Sequence, residues 1–296
     1  MGNVDKTADS KKSFQVQDLP LSKLVPFEGH PFKVVEDEPM LRIMESIAVY
    51  GVLTPLIVRP KDGRYEIVSG HRRVYAARQA GLTKVPSIVR DLTDDEATIM
   101  MVDSNFQREH ILPSERAFAY KMKMEALRHQ GERTDLQMEG TSRQDVGKLE
   151  ASDVMGKDSG ESGRQIQRYI RLTNLIPALL LLVDEGRVSF TPAVELSYLT
   201  PNEQEWFMEA MDYSQTSPSL SQAQRMKKLS QQGAASVEAF REIMSEVKKD
   251  DLERVTFRNE QLRKYFPKDY SIKQMQDTIV RLLEQWQRRR KYELDR

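Results

Sequence analysis

The stretch Val68-Ser69-Gly70-His71-Arg72-Arg73-Val74-Tyr75-Ala76-Ala77 decides how the first third of the chain reads. A strand-like run over 65–69 stops at Gly70, and a helical pattern follows over 71–80, ended by Gly81. A helix that starts this way leaves backbone N–H groups without partners, and partial positive charge collects on them. Such a start binds anions, and a glycine there lets a ligand approach the backbone closely. Arg72 and Arg73 in the first turn oppose the helix dipole, so their presence points to a phosphate. An ordinary strand–helix turn with two solvated arginines accounts for the same residues, and one glycine junction does not separate the two.

Working outward, Pro39 opens a helix whose Leu41, Met44, Ile47 and Ala48 keep helical spacing, with Gly51 as its stop. Strands are expected over 53–59 and 65–69, joined by Lys61-Asp62-Gly63, with a further strand over 85–90. These elements make a small mixed α/β domain over 14–112, after a polar tail over 1–13 read as disordered. Beyond Arg90 the pattern is helical. Helices are expected over 94–105 and 114–130, then a loop over 131–142. Further helices follow near 143–156, 162–173, 175–185, 191–199, 201–212, 219–230 and 236–248, with a linker at 231–234. The expected class is α+β, with the α/β domain followed by an all-α domain over 113–232. A small, mainly helical module over 233–296 ends in an amphipathic helix over 271–292.

Composition removes several functions. The 296 residues include no Cys, so a disulfide framework, Cys-ligated zinc or iron–sulfur and a thiol nucleophile are excluded. The longest apolar run, 179–183, is too short to cross a bilayer, and the first residues lack the apolar core of a signal peptide. A cytoplasmic protein without membrane contact is expected. His30, His71, His110 and His129 show no metal-ligand spacing, and no motif supports a Ser/His/Asp triad. The 45 Lys+Arg balance 45 Asp+Glu, and segments 1–112, 113–232 and 233–296 carry net −1, −2 and +3. Any face that binds nucleic acid must therefore be local.

One such face is legible in Ser162-Gly163-Arg164-Gln165-Ile166-Gln167-Arg168-Tyr169-Ile170-Arg171-Leu172-Thr173-Asn174. Ser162 suits a helix N-cap. Ile166, Tyr169, Ile170 and Thr173 recur at i, i+3, i+4 and i+7 as a buried face. Arg164, Arg168 and Arg171 recur at i, i+4 and i+7 on another, and no acid interrupts the run. Gln165 and Gln167 add the donor–acceptor pairs that read base edges. With a short preceding helix and a glycine-containing turn, this fits a helix-turn-helix. A surface helix with a solvated arginine stripe is the plainer account, although such stripes normally alternate with Glu or Asp. Near the C-terminus, Ile279, Leu283 and Trp286 line one helical face ahead of Arg288-Arg289-Arg290-Lys291. That pattern suits a core-packing helix with a basic end, or a dimerisation helix that also touches DNA non-specifically.

In order along the chain, Thr54-Pro55-Leu56-Ile57-Val58-Arg59, Gly70-x-Arg72-Arg73-x-x-Ala76, Asn105-x-Gln107-Arg108 and Leu112-Pro113-Ser114-Glu115 resemble ParB/Noc-type partition proteins (the ParB/RepB/Spo0J family) over roughly 16–200. The resemblance implies a sulfiredoxin-like N-terminal domain that binds CTP. Thr54, Pro55 and Leu56 would face the cytidine. Gly70, His71, Arg72, Arg73 and Ala76 would lie at the phosphates. Asn105 and Arg108 would hold the triphosphate, with Asn105 as the Mg²⁺ ligand. The helix from Ser162 would carry Arg164, Gln165, Gln167, Arg168 and Arg171 to double-stranded DNA, in a nucleoid-associated homodimer that closes as a clamp on a palindromic site.

Departures from the pattern matter. His71 stands where the family has Glu, and Ser104 stands where a Glu precedes Asn-x-Gln-Arg. Losing that second carboxylate removes a metal partner or water positioner, which argues against hydrolysis. The 1–13 segment has only scattered lysines (Lys6, Lys11, Lys12), without the basic Leu/Gly motif that engages a ParA-type ATPase. Two other activities fit the same residues. One is a nucleoid-occlusion or transcriptional regulator on this scaffold, and the other a nucleotide-dependent kinase built on the N-terminal domain.

Overall fold

Asp62 and Gly63 both adopt positive φ, 49° and 74°. A tight two-residue hairpin turn demands that pair, because its twist matches that of the strands it joins. The turn closes β3 (Leu56–Lys61) onto β4 (Arg64–Ser69), and the register puts Arg59 opposite Glu66. Both side chains are buried, and Arg59 donates to Glu66 through Nε at 2.6 Å. Lys61 Nζ at 3.0 Å and Asp94 on the Arg59 side complete the charge balance. A buried ion pair stabilises little on net, but removing one member strands the other and costs about 3–5 kcal/mol.

Around this hairpin, in the computed structural model, five strands run in the order β1-β5-β3-β4-β2. The structure describes residues 15–108, 110–135, 155–156, 160–246, 264–267 and 270–294. β1 (Val16–Pro20) pairs antiparallel with β5 (Lys84–Val89), which runs parallel to β3. β2 (Leu24–Val25) adds a short parallel edge to β4. One face packs Leu56, Val58 and Ile67 against Met40 and Ile47 of α1 (Glu38–Tyr50) and Val74, Ala76 and Ala77 of α2 (His71–Gln79). The other gives Val68 to a second core with Phe27, Phe32 and Met101 of α3 (Asp94–Phe106) and Ala119 of α4 (Pro113–Asp135). The sequence showed three of these strands. β1 and β2 escaped it because β1 buries one residue in five and β2 is two residues long, so neither alternates.

The helical part follows the expected pattern closely: α5 (Gly163–Arg171), α6 (Pro177–Asp184), α7 (Phe190–Leu196), α8 (Pro201–Ser214), α9 (Leu220–Gln231) and α10 (Val237–Ser245). Capping boxes at Thr200/Glu203 and Ser219/Gln222 start α8 and α9. Their core gathers Leu172, Leu179, Leu196, Phe207, Met226 and Phe240, and each fully buried side chain of this size contributes about 1.5–3 kcal/mol.

Three expectations change. The loop over 131–142 does not begin at Gly131, because α4 continues through it to Asp135. α10, grouped by the sequence with the C-terminal module from 233, buries Phe240, Ile243 and Met244 in the helical core, and the compact unit runs to Ser245. The helix expected over 143–156 lies outside the described residues except for Met155 and Gly156, as does the 1–13 tail. In a separate unit over 246–296, α11 (Ile272–Leu294) exposes Val280, Leu282, Leu283 and Trp286.

Gly70 is where fold and site meet. Its φ is +112°, and a Cβ there would sit 2.4 Å from Leu56 Cδ2. We expect Gly70→Ala to lose about 2 kcal/mol or more of stability, from left-handed strain and the clash together. Urea unfolding of the two proteins measures it, and a midpoint unchanged from wild type would contradict the geometry.

Candidate functional site: anion cradle and arginine helix

Gly70 caps α2 without any side-chain hydrogen bond, and no acid occupies the first turn. The free N–H groups therefore meet only what surrounds them. His71 opens the helix, and its Nε2 accepts from the Phe27 N–H at 3.4 Å. Its ring lies against His30, centroids 3.8 Å apart. His30 Nδ1 contacts Phe32 O at 2.8 Å, so that nitrogen carries the hydrogen, and its Nε2 is buried with no partner. Burial holds both rings neutral: the pKa of His71 falls to about 3, helped by His30 and Arg108, and that of His30 falls to about 4.

Three guanidinium groups border this point. Arg73 Nη1 donates to Thr54 O at 2.6 Å and Pro55 O at 2.7 Å, and burial lowers its pKa. Arg72 pairs with Asp37 at 2.5 Å, the residue that also caps α1. Arg108 lies over the Phe32 ring at 5.4 Å, its pKa lowered by burial against the opposing pull of Glu115. Glu115 itself accepts from Lys33 N at 2.7 Å and so fixes the chain just beyond His30 and Phe32.

The structure thus gathers Gly70, His71, Arg72, Arg73 and Arg108 with the exposed Thr54 and half-buried Pro55. The other expected residues lie deeper. Leu56 and Ala76, expected beside the nucleotide, have no exposed surface, because they fill the core between α2 and β3. Asn105 is buried, and its Nδ2 donates to Met101 O of its own helix at 2.8 Å. Ser104 also turns back to Met101 O, and Asp103 points away to Lys123 on α4 at 2.6 Å. Asp37, His30 and Glu115 were missed as site residues. Asp37 had a signal, an N-cap residue two positions before Pro39, whereas His30 and Glu115 arrive by long-range packing. A cavity of about 650 Å³ lies elsewhere, among Arg59, Asp94, Asp95, Glu125 and His129.

The second constellation is α5. Ser162 caps it as expected, accepting from Gln165 N at 3.2 Å. Ile166 is buried with Met155, Tyr120 and Met124. Gly156 comes so close to α5's entry that a Cβ would sit 2.5 Å from Glu161 O, so the turn admits only glycine. The three arginines differ. Arg164 is exposed. Arg168 is half-buried, with Nη1 on Gln165 Oε1 and Nη2 on Thr191 Oγ1, both at 3.0 Å. Arg171 departs from its expected DNA role. It donates to Ser197 O at 3.1 Å and lies 3.9 Å from the Tyr198 ring centroid, because the last turn of α5 faces the carbonyl end of α7. Gln167, also expected at DNA, turns to α4, with Nε2 3.8 Å from Met124 Sδ.

Residues 5–106 match the ParB N-terminal domain family. Over 188 residues the chain is 32% identical to the chromosome-partitioning protein Spo0J of Thermus thermophilus, covering 64% of this chain and 62% of that protein. It is 31% identical over 122 residues to a nucleoid occlusion protein of a Geobacillus species, covering 41% and 43%. The chain thus spans less than two thirds of these relatives' length. A crystal structure of Caulobacter crescentus ParB complexed to the centromeric parS site aligns at 21% identity and a TM-score of 0.41, over 77% of this chain and 98% of that one. Residues 5–106 therefore carry a ParB N-terminal domain, and a capped arginine-bearing helix follows it along the chain.

Proposed function

We propose that this protein binds double-stranded DNA through α5 and uses a nucleotide, CTP with Mg²⁺, to switch the state in which it is bound, acting in partition of a chromosome, plasmid or mobile element. The observation that carries the reading is α5 itself. Its buried face is Ile166, its opposite face holds Arg164, Gln165 and Arg168, and its first turn contains no acid. Side chains at a helix start that combine arginine forks with an amide suit base edges and phosphates in a major groove. The relatives' names supply the process. A nucleoid-associated homodimer follows from that process, with the exposed apolar side chains of α11 as the surface available for pairing. Clamp closure and a ParA-type partner belong to the same proposal.

The N-terminal cradle fits a triphosphate by its donor set. Backbone N–H groups at α2 and the cations Arg72 and Arg108 outnumber the acids Asp37 and Glu115, so the balance is anion-seeking. Arg73 serves as a strap, holding the Thr54–Pro55 carbonyls to α2. A metal fits less completely: among the described residues no three His, Asp or Glu side chains cluster as a cage. Mg²⁺ would then rest on phosphate oxygens and water, with Asn105 Oδ1 as the atom of that side chain able to meet it. Bound nucleotide supplies differential affinity for the closed state. The half-buried Ser104 in place of a carboxylate supports binding without efficient hydrolysis.

Titrating the four NTPs with Mg²⁺, with and without DNA, while following binding and phosphate release, tests the switch. CTP binding with slow release is expected, and binding of no nucleotide would leave the cradle a structural role. Transfer of phosphate to another molecule would instead support a kinase. On the DNA side, Arg164→Ala should weaken binding and lower the salt slope by about one phosphate. An unchanged affinity and slope would remove α5 from the interface.

The neutral histidines give a stability test. Their folded pKa values, about 3 and about 4, lie below the unfolded value of 6.5. Between those limits the unfolded chain takes up protons that the folded chain refuses, so stability falls progressively as pH drops from 6.5 towards 3. A His71→Gln variant should lose less stability than wild type between pH 7 and pH 4.5 in urea unfolding. Equal losses would mean that the ring is protonated in the fold.

A further inference from the structure

We propose that Thr191 and Phe190, at the start of α7, set the protein's DNA sequence discrimination by holding Arg168 in one orientation. The inference rests on the reading of α5 as the DNA-contacting helix. The three arginines of α5 differ in what they touch. Arg164 is exposed. Arg171 is half-buried, with Nη2 on Ser197 O and its guanidinium against the Tyr198 ring. Arg168 is between them. Its Nη1 is tied to Gln165 Oε1 and its Nη2 to Thr191 Oγ1, each at 3.0 Å, and its guanidinium carbon stands 5.0 Å from the Phe190 ring centroid. A guanidinium has five N–H donors in a fixed fork. Two of them hold the group in place and three remain for another acceptor.

The hold on Arg168 is itself rigid. Phe190 packs on Tyr169 at 4.7 Å, and Tyr169 packs on Tyr120 at 5.8 Å and lies under Arg116 at 5.3 Å. Arg116 is anchored in turn by Glu161 at 2.7 Å, just ahead of the α5 cap. The stack fixes the plane of the fork and the Thr191 hydroxyl fixes its rotation. A long arginine left free on a helix surface must be ordered when it binds, and it can turn to a phosphate as readily as to a base. One oriented in advance presents its remaining donors in a fixed direction, which suits paired acceptors on a single base edge. Thr191 is therefore a positioning residue that acts through Arg168.

The test starts from 20-base-pair duplexes enriched from a random-sequence library by the full-length wild-type protein. Binding of the enriched duplex and of a scrambled one is compared for wild type, Thr191→Val, Thr191→Ser, Arg168→Ala and the Thr191→Val/Arg168→Ala pair, with thermal melts alongside. Valine keeps the shape of threonine and removes the oxygen, while serine keeps the oxygen. Thr191→Val should cut the preference for the enriched duplex by about tenfold, with scrambled-duplex affinity, salt slope and melting temperature unchanged. Thr191→Ser should restore the preference to within about twofold, and the pair should discriminate no worse than Arg168→Ala alone. Equal weakening on both duplexes, an unchanged preference, or a Thr191→Val effect that persists in the Arg168→Ala background would overturn the positioning role while leaving DNA binding intact. If wild type enriches no duplex, the reading of α5 falls and this inference falls with it.

Discussion

The first turn of α4 is the constraint on which the rest of the compact unit depends. Three consecutive side chains there hold three different parts. Ser114 binds Asp184 at the end of α6 through both its N–H, at 2.9 Å, and its hydroxyl, at 2.5 Å. Glu115 takes the N–H groups of Lys33 and Leu112, one on the loop beside the cradle and one at its own helix start. Arg116 reaches Glu161 and Tyr169 at the entry and middle of α5. A helix start has spare N–H groups and favours acids, so Asp184 and Glu115 suit that end of α4. Successive residues on a helix point about 100° apart, which is why one turn serves three directions.

Aromatic packing runs along the same path. Phe32, Phe106, Tyr120, Tyr169 and Phe190 make successive ring contacts at 6.2, 4.8, 5.8 and 4.7 Å. Arg108 caps one end of the column over Phe32 and Arg168 the other over Phe190. Such contacts contribute about 0.5–1.5 kcal/mol each beyond their buried area. The cradle and the arginine helix are therefore parts of one packed body within the unit, and the rings between them occupy positions that side-chain rotation alone cannot exchange.

Much of this was legible before the structure, and what was legible was local. The glycine junction at Gly70, the Ser162 cap, the buried face of Ile166 and the Asp62-Gly63 turn are signals carried within a few residues, and each holds its expected place. Long-range partners were not legible. Nothing near His30 announces that it stacks on His71, and nothing near Glu115 announces Lys33, because those contacts are made by the sheet and by α4. Helical spacing placed Arg171 on the same stripe as Arg164. Only the packing of α7 shows that the stripe passes from an exposed Arg164 to half-buried Arg168 and Arg171 along its length. Leu56 and Ala76 show the converse: two residues of the motif lie in the core beneath the site, which their place in the motif did not announce.

Charge balance takes on a more specific meaning once the arginines are placed. With 45 basic and 45 acidic residues, the chain as a whole offers DNA no net attraction. Three arginines on one helix partly offset that, and two of them, Arg168 and Arg171, are half-buried and tied to neutral oxygens of the fold. Arg164 is the exposed one of the three. Counterion release scales with the number of phosphates neutralised, so on the proposed reading the salt dependence counts how many of these arginines reach phosphate. On that reading the rest of the affinity comes from groups whose geometry is set before DNA arrives, and from a second copy of the helix in the proposed homodimer. The constraint on α4 and the hold on Arg168 are where that geometry is built.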